Sequence, residues 1–294
     1  MRFIASHTTR FRYSEPVYLE PHAIRMRPRS DPWQRLTSFR IEIEPEPVLL
    51  SEAVDAEGND IAQAWFSDLT QELAIRIAFE VETLREDPFD YMVVGDGAMR
   101  LPAKYPGDLQ QSLAGALARC EPGSDAASGF VRPIVERTRG QTLQFLACLN
   151  EAIYRNYKTV VRVHGDPLSP SKTLKARRVA CRDLAVLFAE CCRAVGIAAR
   201  FVSGYTEHSA RTDVNHMHAW AEVFLPGGGW RGYDPSQGLA VSDRHIAVAA
   251  SVDPRLAAPT TGTYRGAAST KAMDFEISLR SHAGTSPDTR TLQG

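Results

Sequence analysis

VACRDLAVLFAECCRAVGIAARFVSGY, residues 179–205, decides how this chain is read. Leu184, Leu187, Phe188, Cys191 and Val195 recur at i, i+3, i+4, i+7 and i+11, the period of a helix of about four turns with one apolar face. Gly196 ends that pattern, and IAARFVSGY after it reads as a strand. Cys181 stands three residues before Leu184, in the first turn and on the core-facing side. A thiol placed there meets unpaired N–H groups and the positive end of the helix dipole, conditions that favour a thiolate. Position alone decides little, because a free cysteine usually packs as a small hydrophobe.

A nucleophile needs a base, and the base needs an orienting group. Both residue types lie in HAWAEVFLPGGGWRGYDPSQG, residues 218–238. His218, Trp220, Glu222 and Phe224 alternate along one strand face, and GWRGYDP forms its hairpin partner around Pro226–Gly229. Asp234 ends that partner strand, sixteen positions after His218. An even separation keeps both side chains on one face and permits them to stand directly opposite each other, although the glycine run leaves the register open. A cysteine at a helix start facing a His–Asp strand pair is how papain-like acyl transfer is built.

The rest of the chain frames this region. In SFRIEIEP, Phe39, Ile41 and Ile43 alternate with Arg40, Glu42 and Glu44; in LAIRIAFEVE, Leu73, Ile75, Ile77, Phe79 and Val81 alternate with polar positions. DAEGND (55–60) marks a turn between such runs, so residues 1–95 read as an antiparallel β-sandwich. Residues 96–127 are rich in Gly, Pro, Ser and Ala and read as a connector with one short helical piece around Leu109–Arg119. A longer helix is expected over Thr142–Tyr157, with Leu146, Leu149 and Ile153 on one stripe. The catalytic core is expected over 128–250, then a turn-rich segment, 251–280, whose last strand is MDFEISL (273–279). A polar tail, 281–294, is expected to be mobile. The fold class is therefore α+β.

Bulk numbers exclude several classes. Lys+Arg of 34 against Asp+Glu of 35 leaves a net charge of −1, which gives no general pull toward nucleic acid or membrane. No run approaches the roughly 18 apolar residues of a membrane span. MRFIASHTTRFRYSEP carries no apolar leader core, so the cytoplasm is the expected compartment. Five cysteines over 294 residues do not form a disulfide framework.

CRDLAVLFAECCRAVGIAARFVSGY and HAWAEVFLPGGGWRGYDPSQG, in this order, closely resemble the transglutaminase-like superfamily core over roughly residues 140–245. HTTRFRYSEPVYLEPHAIRMRPR and EGNDIAQAWF are similar to the region that precedes this core in bacterial members. The resemblance implies Cys181 as nucleophile, His218 as general base and acid, and Asp234 as the group that orients His218. One departure stands out: Val179-Ala180 precedes Cys181, where the family commonly has Gly-Val. A glycine there permits unusual φ or close substrate approach.

These residues support acyl transfer through a thioester, with the Cys181 backbone N–H as one oxyanion donor and Tyr157 as a candidate for the second. Bacterial members look like peptidases, so water is the expected acceptor and a peptide or protein the expected substrate. Transfer to an amine, as in a protein-glutamine γ-glutamyltransferase, is the alternative; a non-catalytic binding module on the same fold is another. The resemblance also implies an ATP-grasp-type peptide ligase as a partner. No cofactor is expected: His216 and His218, at i and i+2, lack further ligands in a recognisable pattern, and no acidic loop of the calcium-binding kind is present. Cys191 and Cys192 lie about 15 Å along the helix from Cys181, too far for a direct disulfide. Asp183 favours the helix start while opposing a thiolate beside it. Arg177 and Arg178 read as a solvated face.

Overall fold

The computed structural model describes residues 1–207 and 216–282. Six strands open the chain: β1 (Arg2–Leu19), β2 (His22–Ile24), β3 (Gln34–Glu44), β4 (Leu49–Val54), β5 (Asp60–Trp65) and β6 (Leu69–Thr83). The period-2 alternation becomes sidedness, because β6 buries Leu73, Ile75, Ile77, Phe79 and Val81 and lies antiparallel between β1 and β3. β2, β5 and β4 build a second antiparallel sheet. Both sheets feed one apolar cluster that includes Phe3, Val17, Ile24, Ala64 and Phe79.

Helices follow: α1 (Asp96–Met99), α2 (Gly107–Ser112), α3 (Ala114–Leu117), α4 (Ala126–Arg137) and α5 (Thr142–Asn156). After α5 come β7 (Lys158–Thr159), α6 (Pro170–Lys175), β8 (Arg178–Val179) and α7 (Cys181–Ala194). The expected stripes are buried: Leu146, Leu149 and Ile153 of α5 meet Leu184, Leu187, Phe188 and Cys191 of α7 in one cluster. α4 joins them through Ala127, Val131 and Ile134, a helix that the composition of the segment concealed. Beyond α7, Gly196 takes φ +80, and a Cβ there would come within 2.6 Å of the Ala103 carbonyl oxygen.

The core sheet comprises β9 (Ala199–Thr206), β10 (His218–Leu225), β11 (Gly229–Asp234), β12 (Leu239–Ala240) and β13 (His245–Ser251), antiparallel in the order β12-β11-β10-β9-β13. α7 packs on β10 and β9, with Ala221, Val223 and Leu225 facing its apolar stripe. A 3-10 turn (Pro254–Ala257) leads to β14 (Thr260–Thr261), β15 (Tyr264–Arg265) and β16 (Thr270–His282), which return to the N-terminal sheets. β16 contains the expected last strand and pairs with β1 from Arg2↔His282 to Tyr13↔Thr270. The tail expected from residue 281 lies, beyond His282, outside the described residues. Antiparallel sheets, with the helices gathered in the chain between β6 and β9 and only the short β7–β8 pair parallel among the described residues, make the fold α+β. Among the described residues no helix is long and apolar enough to cross a membrane.

The two halves are welded along β9 and β13. Tyr205, Ile246 and Val248 belong to the same apolar cluster as Phe3 and Phe79. Two buried amides clip the outer edge of β13 as a neighbouring strand would. Asn59 donates to the Ala250 carbonyl (2.9 Å) and accepts from its N–H (2.7 Å); Gln34 does the same at Ala247 (both 2.8 Å). Asn59 is held for this by Asp55, whose Oδ1 accepts its N–H at 2.9 Å. The turn DAEGND is thus also a fastener.

Candidate active site

Cys181 is the first residue of α7, and the strand-like entry before it needs no glycine. Val179, which stands where the family has glycine, ends strand β8 without a positive φ, and Ala180 follows at φ −85, ψ 161, extended backbone that any residue adopts, so the departure from the family pattern is accommodated without strain. Asp183, fully buried in the first turn, organises the approach. Its carboxylate accepts the Ala180 N–H (2.8 Å) and the Leu168 N–H (2.8 Å), and takes both Nη atoms of Arg162 (2.7 and 2.8 Å). The fork of Arg162 matches the carboxylate's charge, so Asp183 secures the helix start without presenting a bare anion to Cys181.

His218 is the first residue of β10 and Asp234 the last of β11. The observed register, Ala221↔Tyr233 through Leu225↔Gly229, places Trp220 opposite Asp234 when continued by one position. His218 and Asp234 are therefore diagonal neighbours rather than directly opposed. The even separation still keeps them on one face, and a diagonal is short enough for an imidazole to span. Nε2 of His218 lies 2.6 Å from Oδ2 of Asp234. The other carboxylate oxygen accepts three donors: the Ser236 N–H (3.0 Å), the Ser236 hydroxyl (2.7 Å) and the Gln237 N–H (3.2 Å).

The electrostatics follow from these contacts. Burial by itself would push the imidazole of His218 down, but the Asp234 charge, the Cys181 sulfur and hydrogen bonds to both raise it well above its ordinary value. Burial would likewise push the Asp234 carboxyl up, and the charge and hydrogen bond of His218, followed by those of His245, hold it far below the usual range. With Nε2 committed to Asp234, Nδ1 is the nitrogen left for the sulfur. Exposure falls along the row: Cys181 is partly open, His218 is 7% exposed and Asp234 is sealed at 0%. The site opens at the sulfur and closes at the carboxylate.

The other sequence candidates are spread out. Tyr157 follows α5 and packs against the helical cluster, with Cys191 close enough to act on its phenol; among the described residues no hydrogen bond joins it to Cys181 or His218. Cys191 and Cys192 are fully buried in the core. Among the described residues no group of three or more His, Cys, Asp or Glu is placed to hold a metal ion. Sequence reasoning passed over Arg162, Ser236, Trp220 as a neighbour of the site, and His245. Ser236 carried a signal, since Asp-Pro-Ser-Gln-Gly is turn chemistry in which an Asp oxygen accepts N–H groups two and three residues on. His245 carried none: its strand, β13, and its approach to Asp234 appear only in the fold.

Residues 5–82 match the bacterial transglutaminase-like N-terminal region, and residues 129–235 match the transglutaminase-like superfamily core. The chain belongs to the transglutaminase-like superfamily. The superfamily core match takes in Cys181, His218 and Asp234 and stops short of His245. A candidate cysteine protease from Cytophaga hutchinsonii shares the fold over 97% of this chain and 92% of its own, with a TM-score of 0.71 at 18% identity. An uncharacterized protein of Mycobacterium tuberculosis is 28% identical over 264 residues, 84% of this chain and 82% of the relative. An uncharacterized protein of Mycobacterium leprae is 33% identical over 98 residues, 32% of this chain and 34% of the relative.

Proposed function

We propose that this transglutaminase-like protein is a cysteine hydrolase that cleaves peptide or isopeptide amide bonds through a thioester on Cys181. One observation carries the reading: a histidine locked by a buried carboxylate faces a cysteine at a helix start. The sulfur attacks the amide carbonyl carbon, forming a C–S bond and placing negative charge on the carbonyl oxygen. The first N–H groups of α7 lie outside the helix ladder, and that of Cys181 points toward this charge as an oxyanion donor. His218, held as an imidazolium, passes its proton to the leaving nitrogen as the C–N bond breaks. Now neutral, the same imidazole takes a proton from water as its oxygen attacks the thioester carbonyl. Breaking the C–S bond releases the acid and restores the starting pair. Asp234 stays ionised throughout and keeps Nδ1 aimed at the sulfur.

The acceptor is tested with a peptide library, with and without a labelled primary amine, and product analysis by mass spectrometry. Hydrolysed fragments whose yield the amine does not change are expected. Stoichiometric amine incorporation at glutamine side chains would make the protein an amine transferase instead.

A further inference from the structure

A second imidazole reaches the same carboxylate oxygen. His245, the first residue of β13, places Nε2 at 3.3 Å from Oδ2 of Asp234, the atom that also holds His218 at 2.6 Å. Its side chain is 2% exposed, and its ring meets Trp220 edge-on with centroids 5.3 Å apart. The two histidine rings lie 6.4 Å apart, on either side of the carboxylate. Among the described residues the buried Nδ1 of His245 has no hydrogen-bond partner. An Nε2–H tautomer fits both facts, since a carboxylate oxygen only accepts and a proton on Nδ1 would be stranded.

We propose that His245 is a positioning residue that sets the proton affinity of His218 through the shared Oδ2 of Asp234. The inference rests on the reading of Cys181, His218 and Asp234 as the reacting group. Geometry alone does not need His245, because three donors already fix Oδ1 and with it the carboxylate plane. Its contribution is charge. An N–H on Oδ2 disperses negative charge that would otherwise act on His218 alone, and so weakens the hold of His218 on its proton. A hydrolase needs that moderation, because the imidazole must give its proton to the leaving group and take one back from water. The titratable groups set against Asp234 are His218 from β10 and His245 from β13; Cys181 from α7 faces His218 as well. Since Gln34 and Asn59 pin β13, the place of His245 is dictated by the N-terminal sheets. That gives the N-terminal region a role in the chemistry.

The test is a histidine NMR titration of the intact chain carrying 15N- and 13C-labelled histidine, in wild type, His245→Phe and His245→Gln. Phe keeps the packing against Trp220 and removes the donor; Gln restores a donor. The His218 titration is expected to move upward by about one pH unit in His245→Phe, the scale of one charge-assisted hydrogen bond, and to return most of the way in His245→Gln. An unchanged or lowered titration in His245→Phe, or a Gln variant that matches Phe, overturns the proposal. Wild type alone gives a second check that needs no variant: His245 must carry its proton on Nε2, and an Nδ1–H tautomer overturns the proposal. No substrate enters either measurement. Ordered shifts in a protein that hydrolyses nothing would keep this inference and remove the hydrolase reading; an active hydrolase without the shifts would do the reverse.

Discussion

His218 stands directly opposite Gly204 in the pairing of β10 with β9. That glycine is what lets the sheet close around the site. A Cβ at 204 would come within 2.0 Å of the Ile246 carbonyl oxygen and 2.6 Å of the Trp220 ring. The first is backbone and cannot swing aside. Gly204→Ala is expected to lower stability by about 2–3 kcal/mol or more and to slow alkylation of Cys181 by shifting His218. Urea unfolding and thiol labelling check both; an Ala variant equal to wild type in each contradicts the packing described.

Asp234→Asn should fold, because the Ser236 and Gln237 N–H groups still find an amide oxygen. The amide nitrogen would then face Nε2 of His218 and reverse its role from donor to acceptor. The histidine proton moves to Nδ1, toward the sulfur. In a serine triad this exchange costs about 10⁴ in kcat, and a somewhat smaller loss is expected here because the reacting pair is charged at the start. Turnover near wild type in a folded variant would remove Asp234 from the mechanism.

Arg162→Ala strips Asp183 of its ionic partner while leaving it at 0% exposure beside the helix start. Removing one partner of a buried pair costs about 3–5 kcal/mol, and because Arg162 is 31% exposed the low end of that range is expected. An uncompensated anion one turn from the sulfur should also slow Cys181 alkylation. The double variant Arg162→Ala/Asp183→Asn is expected to recover part of both losses. Measured unfolding energies of the single and double variants decide the point, and equal values for wild type and Arg162→Ala would contradict it.

Acid should loosen the weld between the halves. His7 of β1 bonds the Tyr205 hydroxyl of β9 at 2.9 Å, and burial lowers its imidazole to about 4. The neutral ring is favoured in the fold and less so in the unfolded chain, whose ordinary value is 6.5. Its contribution is therefore complete above pH 6.5 and falls as pH drops toward 4, a loss of about 3 kcal/mol. His7→Gln lacks this titration. Between pH 6.5 and 4 the wild type should lose more unfolding free energy than the variant, and parallel curves would contradict the assignment.

The parts of this fold that were legible in the sequence are those with a local period. The α7 stripe from Leu184 to Val195, the alternation in β3 and β6 and the placing of Cys181 at a helix start needed only near neighbours in the chain. The helix Ala126–Arg137 stayed hidden because Gly129 and Pro133 interrupt its apolar positions. Three successive glycines concealed the β10–β11 register, so the shared face of His218 and Asp234 was legible while their offset stayed open. Contacts between distant segments had no local signature at all. MDFEISL reads as a strand, but nothing in it names β1 as its partner, and nothing around His245 points to Asp234. Nothing near Arg162 in the sequence points to Asp183, twenty-one residues on, which it pairs in the fold.

In the proposed mechanism Cys181 is the nucleophile and His218 activates it. The most direct measurement is brief alkylation at pH 6, with all five thiols mapped by mass spectrometry in wild type and His218→Ala. Partial desolvation and the neighbouring Glu190 raise the thiol of Cys120, although that residue is exposed, and full burial raises Cys191 and Cys192 well above their ordinary value. Fast modification of Cys181 alone, slowed at least tenfold (about 1.4 kcal/mol) in His218→Ala, is the expected result. Equal labelling of Cys120, Cys148 and Cys181, or a Cys181 rate that His218→Ala leaves unchanged, would contradict the account.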